Sequence, residues 1–177
     1  MGDYSPSFYV RALFDTPWKA HNSIIRHLMI PVARLKFALA GIPWRRGWLL
    51  YGLPVLLKHR QSTITLGDRL SLRSTLRSNP LAPNHPVVLC TWRAGARIII
   101  GDDFGMTGGS IVAEQEIVIG NRVTIGANCT IMDTDFHPLD PQARYERPYD
   151  AATAPVRIED DVFVGMNCLI LKGVTIG

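Results

Sequence analysis

A six-residue beat constrains this chain more than any other feature. From Ile119 it reads Ile119-Gly120-Asn121-Arg122-Val123-Thr124, then Ile125-Gly126-Ala127-Asn128-Cys129-Thr130, then Ile131. The beat returns as Ile158-Glu159-Asp160-Asp161-Val162-Phe163 and Val164-Gly165-Met166-Asn167-Cys168-Leu169, and continues through Ile170 to Ile176. Upstream, Val88, Ala94, Ile100, Met106 and Val112 keep the period, with one extra residue inserted before Ile119. Leu66-Gly67-Asp68-Arg69-Leu70 is a more ragged, earlier coil. An aliphatic in place one, a small residue in place two and a compact apolar in place five match neither the helix period nor a hairpin. Short strands joined by tight turns, three to a coil, stack each aliphatic on the next. Glycine in place two suits corners where φ turns positive. The expected fold class is an all-β solenoid.

Composition narrows the function classes. Hydrophobic residues make up 47% and charged residues 19% of the 177, which excludes wholesale disorder. Three cysteines without paired spacing exclude a disulfide framework, and no CxxC is present to hold zinc. The longest charge-free apolar run near the start, Gly47 to Leu57, is short for a membrane span. Met1–Asp15 lacks the pattern of a secretory leader, so a cytoplasmic setting is expected. Charge is divided. Residues 1–60 hold nine Lys/Arg against Asp3 and Asp15, a net of +7, while the remainder is net −3. An acidic repeat body without a binding motif argues against nucleic acid.

The repeat also locates an excursion. Places 119, 125 and 131 make one coil and 158, 164 and 170 the next, so His137–Arg157 is extruded. Long loops on a regular scaffold are where function concentrates. The excursion opens Asp133-Thr134-Asp135-Phe136-His137-Pro138-Leu139-Asp140.

With these motifs the run from about Leu66 to Gly177 resembles the hexapeptide-repeat acyltransferases, closest to the maltose, galactoside and polysaccharide O-acetyltransferases. The resemblance implies a left-handed parallel β-helix, a handedness that local rules do not supply. It also implies a homotrimer, acetyl-CoA as co-substrate without a metal, and a sugar or polysaccharide acceptor. In that family a His-Pro element at this point supplies the catalytic base, which makes His137 the candidate. A neutral imidazole of ordinary pKa about 6.5 suits removal of an alcohol proton during attack on a thioester. Its second ring nitrogen needs a partner, either a backbone carbonyl or a carboxylate such as Asp135. By resemblance Gly126, Phe163, Gly165 and Met166 line the cofactor channel. Met166 and Phe163 depart from the family pattern, so an oxyanion donor there must be main chain. The Met106–Ser110 segment lacks the family's asparagine, leaving Thr107 and Ser110 as acceptor contacts, with Asn84 and His85 from the irregular stretch before the regular coils.

Covalent catalysis by cysteine fails on position. Cys129 and Cys168 take the inward fifth place and are expected to be buried hydrophobes. Residues 1–62 form a basic, partly helical arm and 63–177 the repeat domain, which stops in mid-hexad at Gly177 and is expected to be truncated. Apolar residues from Trp18 to Ala40 follow a helical spacing that Pro31 kinks or splits. That arm caps the first coil, or lies on an anionic membrane surface that carries a lipid-linked acceptor. The alternatives from other classes are a non-catalytic β-helix scaffold and a zinc enzyme of the γ-carbonic anhydrase type. The second is disfavoured because only His137 follows His85.

Overall fold

The structure, a computed structural model, describes residue 11 and residues 13–177. Helices α1, Pro17–Leu28, and α2, Ile30–Leu39, lead into the strands. The break at Met29 comes two residues before Pro31, which has no amide hydrogen to donate and sits in the first turn of α2.

The rest is a left-handed parallel β-helix of three five-stranded faces. The first face stacks β1 (Leu49–Tyr51), β4 (Ser71–Arg73), β7 (Gly105–Thr107), β10 (Thr124–Ile125) and β13 (Phe163–Val164). The second stacks β2 (Val55–Lys58), β5 (Val88–Thr91), β8 (Ser110–Ala113), β11 (Thr130–Met132) and β14 (Leu169–Ile170). The third stacks β3 (Thr63–Leu66), β6 (Arg97–Ile100), β9 (Glu116–Ile119), β12 (Val156–Ile158) and β15 (Thr175–Ile176). Every pairing between these strands is parallel.

Places one and five point inward, as the alternation of a short strand requires. Ile119, Ile125, Ile131, Ile158, Val164 and Ile170 are buried in one continuous core. Val123 and Cys129 are buried with them, while Val162 and Cys168 in the last coil are half-buried.

Three expectations need correction. The solenoid does not begin at 63: β1 and β2 already belong to the first two faces, paired with β4 and β5. The upstream phase holds at Ile100 and Met106, which are buried in register with Ile119 and Ile125, and is off by one on the second face. Val88 and Val112 point outward, and Leu89, Ile111 and Ala113 are the buried residues. The Gly108-Gly109 corner, where both glycines take positive φ, is one residue shorter than its counterpart in the next coil, with five residues from Met106 to Ile111 against six from Ile125 to Ile131, and a one-residue slip exchanges the faces of a strand. Finally, positive φ falls on place four, at Arg122, Asn128, Asp161 and Asn167, and not on the glycines of place two. Those glycines are needed because coils approach closely. A Cβ on Gly120 would meet Asp160 N at 2.7 Å, and one on Gly126 would meet Gly165 C at 2.6 Å.

The corner between the third and first faces is an interlocked ladder. Asp68 N donates to Asp102 Oδ1 at 2.9 Å, Asp102 N to Asn121 Oδ1 at 2.9 Å, and Asn121 N to Asp160 Oδ1 at 2.8 Å. Arg69 grips Asp102 and Asp103, and Arg122 grips Asp160 and Asp161. Hydrogen bonds from Arg69 and Arg122 hold Asp103 and Asp161 below the usual carboxylate range. The Asn121 amides do the same for Asp160.

The opposite end is capped by α2. Ala33, Phe37 and Ile42 join the core, and Phe37 meets Trp48 edge-on at 4.9 Å. Trp48 Nε1 donates to Gly67 O at 2.8 Å, tying cap to coil. No residue of α1 is buried, and Ile24 and Leu28 are exposed.

Two measurements test this account. Gly120→Ala is expected to lower stability by about 1–3 kcal/mol through overpacking. Gly165→Ala, with nothing within 4 Å of its Cβ, should stay within about 0.5 kcal/mol. Equal losses in chemical denaturation would refute close coil approach as the reason for glycine. The depressed aspartates stabilise the fold above the ordinary carboxylate pKa of about 3.9, and that contribution is lost as pH falls through their lower folded values. The melting-temperature gap between wild type and Arg122→Gln should therefore narrow below about pH 4. A gap that is the same at pH 6 and pH 2.5 would sink the assignment.

Candidate active site

The chain leaves the stack after β11 and returns at β12, so the excursion spans 133–155 and not 137–157. Its neck is a short antiparallel ladder. Thr134 bridges Thr153, Ala154 N donates to Asp133 O at 3.0 Å, and Asp135 N donates to Ala152 O at 3.1 Å. At the tip is α3, Pro141–Glu146, capped by Asp140 Oδ1 accepting from Ala143 N at 2.7 Å.

A buried polar cluster roots this loop. The Asp133 carboxylate, fully buried, accepts from the backbone amides of Glu114, Gln115 and Glu116 at 2.7, 2.8 and 2.7 Å. Burial pushes its carboxyl above the ordinary value, and the three amides oppose that shift by favouring the charged form. Glu114 Oε2 accepts from Thr134 Oγ1 at 3.0 Å, and Thr134 Oγ1 accepts from Phe136 N at 3.0 Å. Glu114 Oε1 accepts from Arg93 Nε at 3.0 Å, and Arg93 Nη2 donates to Tyr149 O at 2.5 Å. One carboxylate therefore ties together the outgoing leg at Phe136 and the returning leg at Tyr149.

His137 sits between those legs. Its backbone N donates to Asp135 O at 2.7 Å, and its ring Nδ1 lies 2.9 Å from Pro148 O. A carbonyl only accepts, so Nδ1 carries the proton and Nε2 keeps its lone pair on an exposed ring. The partner is not the Asp135 side chain. That carboxylate is bound 2.8 Å from Lys172 Nζ, one coil on, and is mostly buried. Asp135 supports His137 through its main chain only.

The other sequence candidates lie at a different edge. Gly126, Gly165 and Met166 occupy the corner between the first and second faces, and Phe163 is outward on the first face and 75% exposed. Thr107 is buried and its Oγ1 accepts from Asn79 Nδ2 at 3.2 Å, so it is not open to an acceptor. Ser110 starts β8 at that corner. Asn84 is exposed and its N donates to Asn128 Oδ1 at 2.8 Å; the exposed His85 ring pairs with Pro86 O. His137 lies at the far end of the second face, about 10 Å away at the rise of an extended strand. Gly126 owes its lack of a side chain to Gly165 stacked on it, a reason complete without any ligand. Glu114, Thr134 and the Pro148 carbonyl are not among the candidates read from the sequence; an acid ending an apolar strand, Ile111-Val112-Ala113-Glu114, is the signal that marks the first of these.

Cysteine chemistry finds no support in the geometry. Burial raises the thiols of Cys90 and Cys129 away from the reactive thiolate. Among the described residues no group of three His, Cys, Asp or Glu converges as a metal site.

Comparisons with known proteins agree with this architecture. A family model described as the hexapeptide repeat of succinyl-transferase matches residues 116–132 and 155–177, the coils flanking the loop. A Schizosaccharomyces pombe protein named as a putative acetyltransferase is 43% identical over 61 residues, 34% of this chain and 28% of that protein. Galactoside O-acetyltransferase of Lactococcus lactis subsp. lactis is 37% identical over 68 residues, 38% of this chain and 31% of that protein. The matches thus span under a third of these relatives' own length. No solved structure matches significantly. Fold and repeat together define a hexapeptide-repeat β-helix protein. More narrowly, the coils on either side of the loop are similar to those of hexapeptide-repeat transferases, and part of the chain is similar to proteins named as acetyltransferases.

If Glu114 joins the two legs, Glu114→Ala should speed tryptic cleavage after Arg144 by about tenfold, or ~1.4 kcal/mol of easier local opening. The β-helix circular dichroism should be unchanged. An unaltered cleavage rate would mean that the neck ladder alone holds the loop.

Proposed function

We propose that the chain is a coenzyme A-dependent O-acetyltransferase that acylates a hydroxyl of a sugar or polysaccharide precursor, with His137 as general base. The observation that carries this reading is the His137 ring, fixed at Nδ1 by the Pro148 carbonyl with Nε2 free and exposed. The names of the relatives support the acetyl group, and one of them supports a sugar acceptor.

Nε2 takes the proton of the acceptor hydroxyl as its oxygen attacks the thioester carbonyl. The tetrahedral intermediate collapses with loss of the coenzyme A thiolate, which recovers that proton from Nε2. Protonation during the step leaves imidazolium with both N–H groups as donors, and the Pro148 carbonyl keeps its bond throughout. Tyr145 and Tyr149, both largely exposed on the same loop, offer ring faces for stacking a sugar.

Acetyl-CoA fits as co-substrate along the corner of Gly126, Gly165 and Met166, where backbone amides supply the oxyanion donor. Because that corner is a strand length from His137 in one protomer, the reading calls for a homotrimer in which a neighbour's corner faces the base. The exposed side chains of Phe163, Leu169 and Leu171 give such a neighbour apolar surface to bury.

Acyl transfer from labelled acetyl-CoA to a panel of galactosides and glycans tests this. His137→Ala should lose about 10² or more in rate while folding and assembling normally. Undiminished transfer in that variant would overturn the base assignment, and Asp135→Asn should cost far less than His137→Ala because its carboxylate faces Lys172.

A further inference from the structure

The irregular loop 74–87 leaves the corner between the first and second faces in the second coil, and α1 lies across from it. Between them is a cleft of about 900 Å³. Lys19 and Arg26 of the helix and Arg73 and Arg77 of the β-helix line it, and none of its lining residues is acidic. Elsewhere this protein pairs its arginines readily, as at Arg69, Arg97, Arg122 and Arg157. Among the described residues, the four cations of the cleft make no ion pair.

Their placement is built. Arg26 and Arg73 lie 5.4 and 4.4 Å from the centroid of the same Tyr51 ring. Arg26 Nη1 donates to the Tyr51 hydroxyl at 3.2 Å, and Arg73 Nη1 donates to the Ser78 carbonyl. Asn22 Nδ2 donates to Arg77 O at 2.7 Å, which ties the helix to the loop and fixes the two walls. Two guanidinium groups sharing one ring repel each other, and an exposed cation–π contact returns only about 0.5–1 kcal/mol. Most of the five N–H donors on each guanidinium remain for a ligand.

We propose that this cleft binds a phosphate monoester or diphosphate carried on a larger group. Guanidinium forks match the paired oxygens of a phosphate, and a second phosphate uses the charge of Lys19 and Arg77. The volume is that of a small-molecule site and far exceeds one inorganic phosphate. Trp18, at the rim and about half exposed, adds an apolar face for the remainder of the ligand.

The cleft opens on the edge that carries Gly126 and Gly165, two and three coils on, or about 10 and 14 Å away at ordinary strand spacing. A phosphorylated acceptor anchored there extends along that edge towards the acyl donor. This last step rests on the acyl-transfer reading, whereas the anion site does not.

Titration calorimetry of the full chain with inorganic pyrophosphate tests the site, without acetyl-CoA, so that its failure and a failure of acyl transfer are separate results. Saturable binding is expected, weakened about fivefold or more by Arg77→Gln and by Lys19→Gln. Neither side chain makes a hydrogen bond or ion pair to the described chain, and melting temperature checks that both variants fold. Arg60→Gln, outside the cleft, should bind as wild type. No saturable binding, or the same affinity in Arg77→Gln and Lys19→Gln as in wild type, would overturn the proposal. Competition then separates the sources, each of which supports the site. Displacement by vesicles of equimolar phosphatidylcholine and phosphatidic acid assigns a lipid-borne phosphate, and displacement by a nucleoside diphosphate without vesicle competition assigns a soluble one.

Discussion

The distance between neighbouring coils governs this molecule. Parallel strands on three faces fix that distance at the spacing of a β-ladder, close to about 4.8 Å, and the backbone at each corner must follow. At several corners place two of the hexad then has little room for a side chain, because another coil stacks upon it. A methyl group on Gly67, Gly101, Gly120 or Gly126 would lie under 3 Å from the backbone of the next coil. Glu159 carries a side chain in the same place, and there the residue stacked upon it is Gly177. The same spacing dictates where irregularity can occur. An insertion inside a strand would break its ladders to both neighbours, so extra residues leave at corners, as the 74–87 and 133–155 loops do. The candidate base and the cationic cleft are accordingly both found where the chain departs from the stack.

What the sequence discloses follows from that rule. A six-residue period with aliphatics in place one is visible because each inward residue meets a counterpart one coil away, and the position of His137 follows from counting hexads. Conformation at the corners is less visible. Glycine serves both positive φ and close approach, and only coordinates separate the two; place four, with Arg122 and Asp161, turned out to hold the left-handed residues. The first coil escaped notice because Leu49–Tyr51 and Val55–Lys58 are apolar strands without the glycine of a stacked corner between them in the hexad register. The partner of His137 was also out of reach. Pro148 is eleven residues further on, brought back by a hairpin neck that no local pattern marks.

Charge is distributed by the same logic. On the body, arginines interlock with aspartates of the next coil at one edge, so that they neutralise each other and brace the stack. Exposed pairs of this kind contribute little singly and more as a ladder. The cationic side chains of the cleft have no such partners. The second helix of the N-terminal segment spends its apolar side on the first coil through Phe37, whereas the first helix directs Arg26 to a cleft whose other wall is also cationic. Capping and ligand capture thus fall to successive helices, separated at Met29 by the proline that ends regular hydrogen bonding.

The His137 loop adds a constraint on the proposed acyl transfer. His137 is four residues from Asp133, whose carboxylate is fixed by three amides, and its ring is fixed by the returning leg. Between the root of the loop and the Gly126 corner stands the whole of β11, so no motion short of breaking the neck carries the imidazole to that corner in its own protomer. A donor thioester held along the corner can meet His137 only if it belongs to another copy of the chain, or if it binds at the loop edge instead. With the thioester at the corner, as proposed, rigid anchoring of His137 and a two-subunit site are one claim: the firmer the root at Glu114 and Asp133, the more completely the proposed transfer depends on assembly.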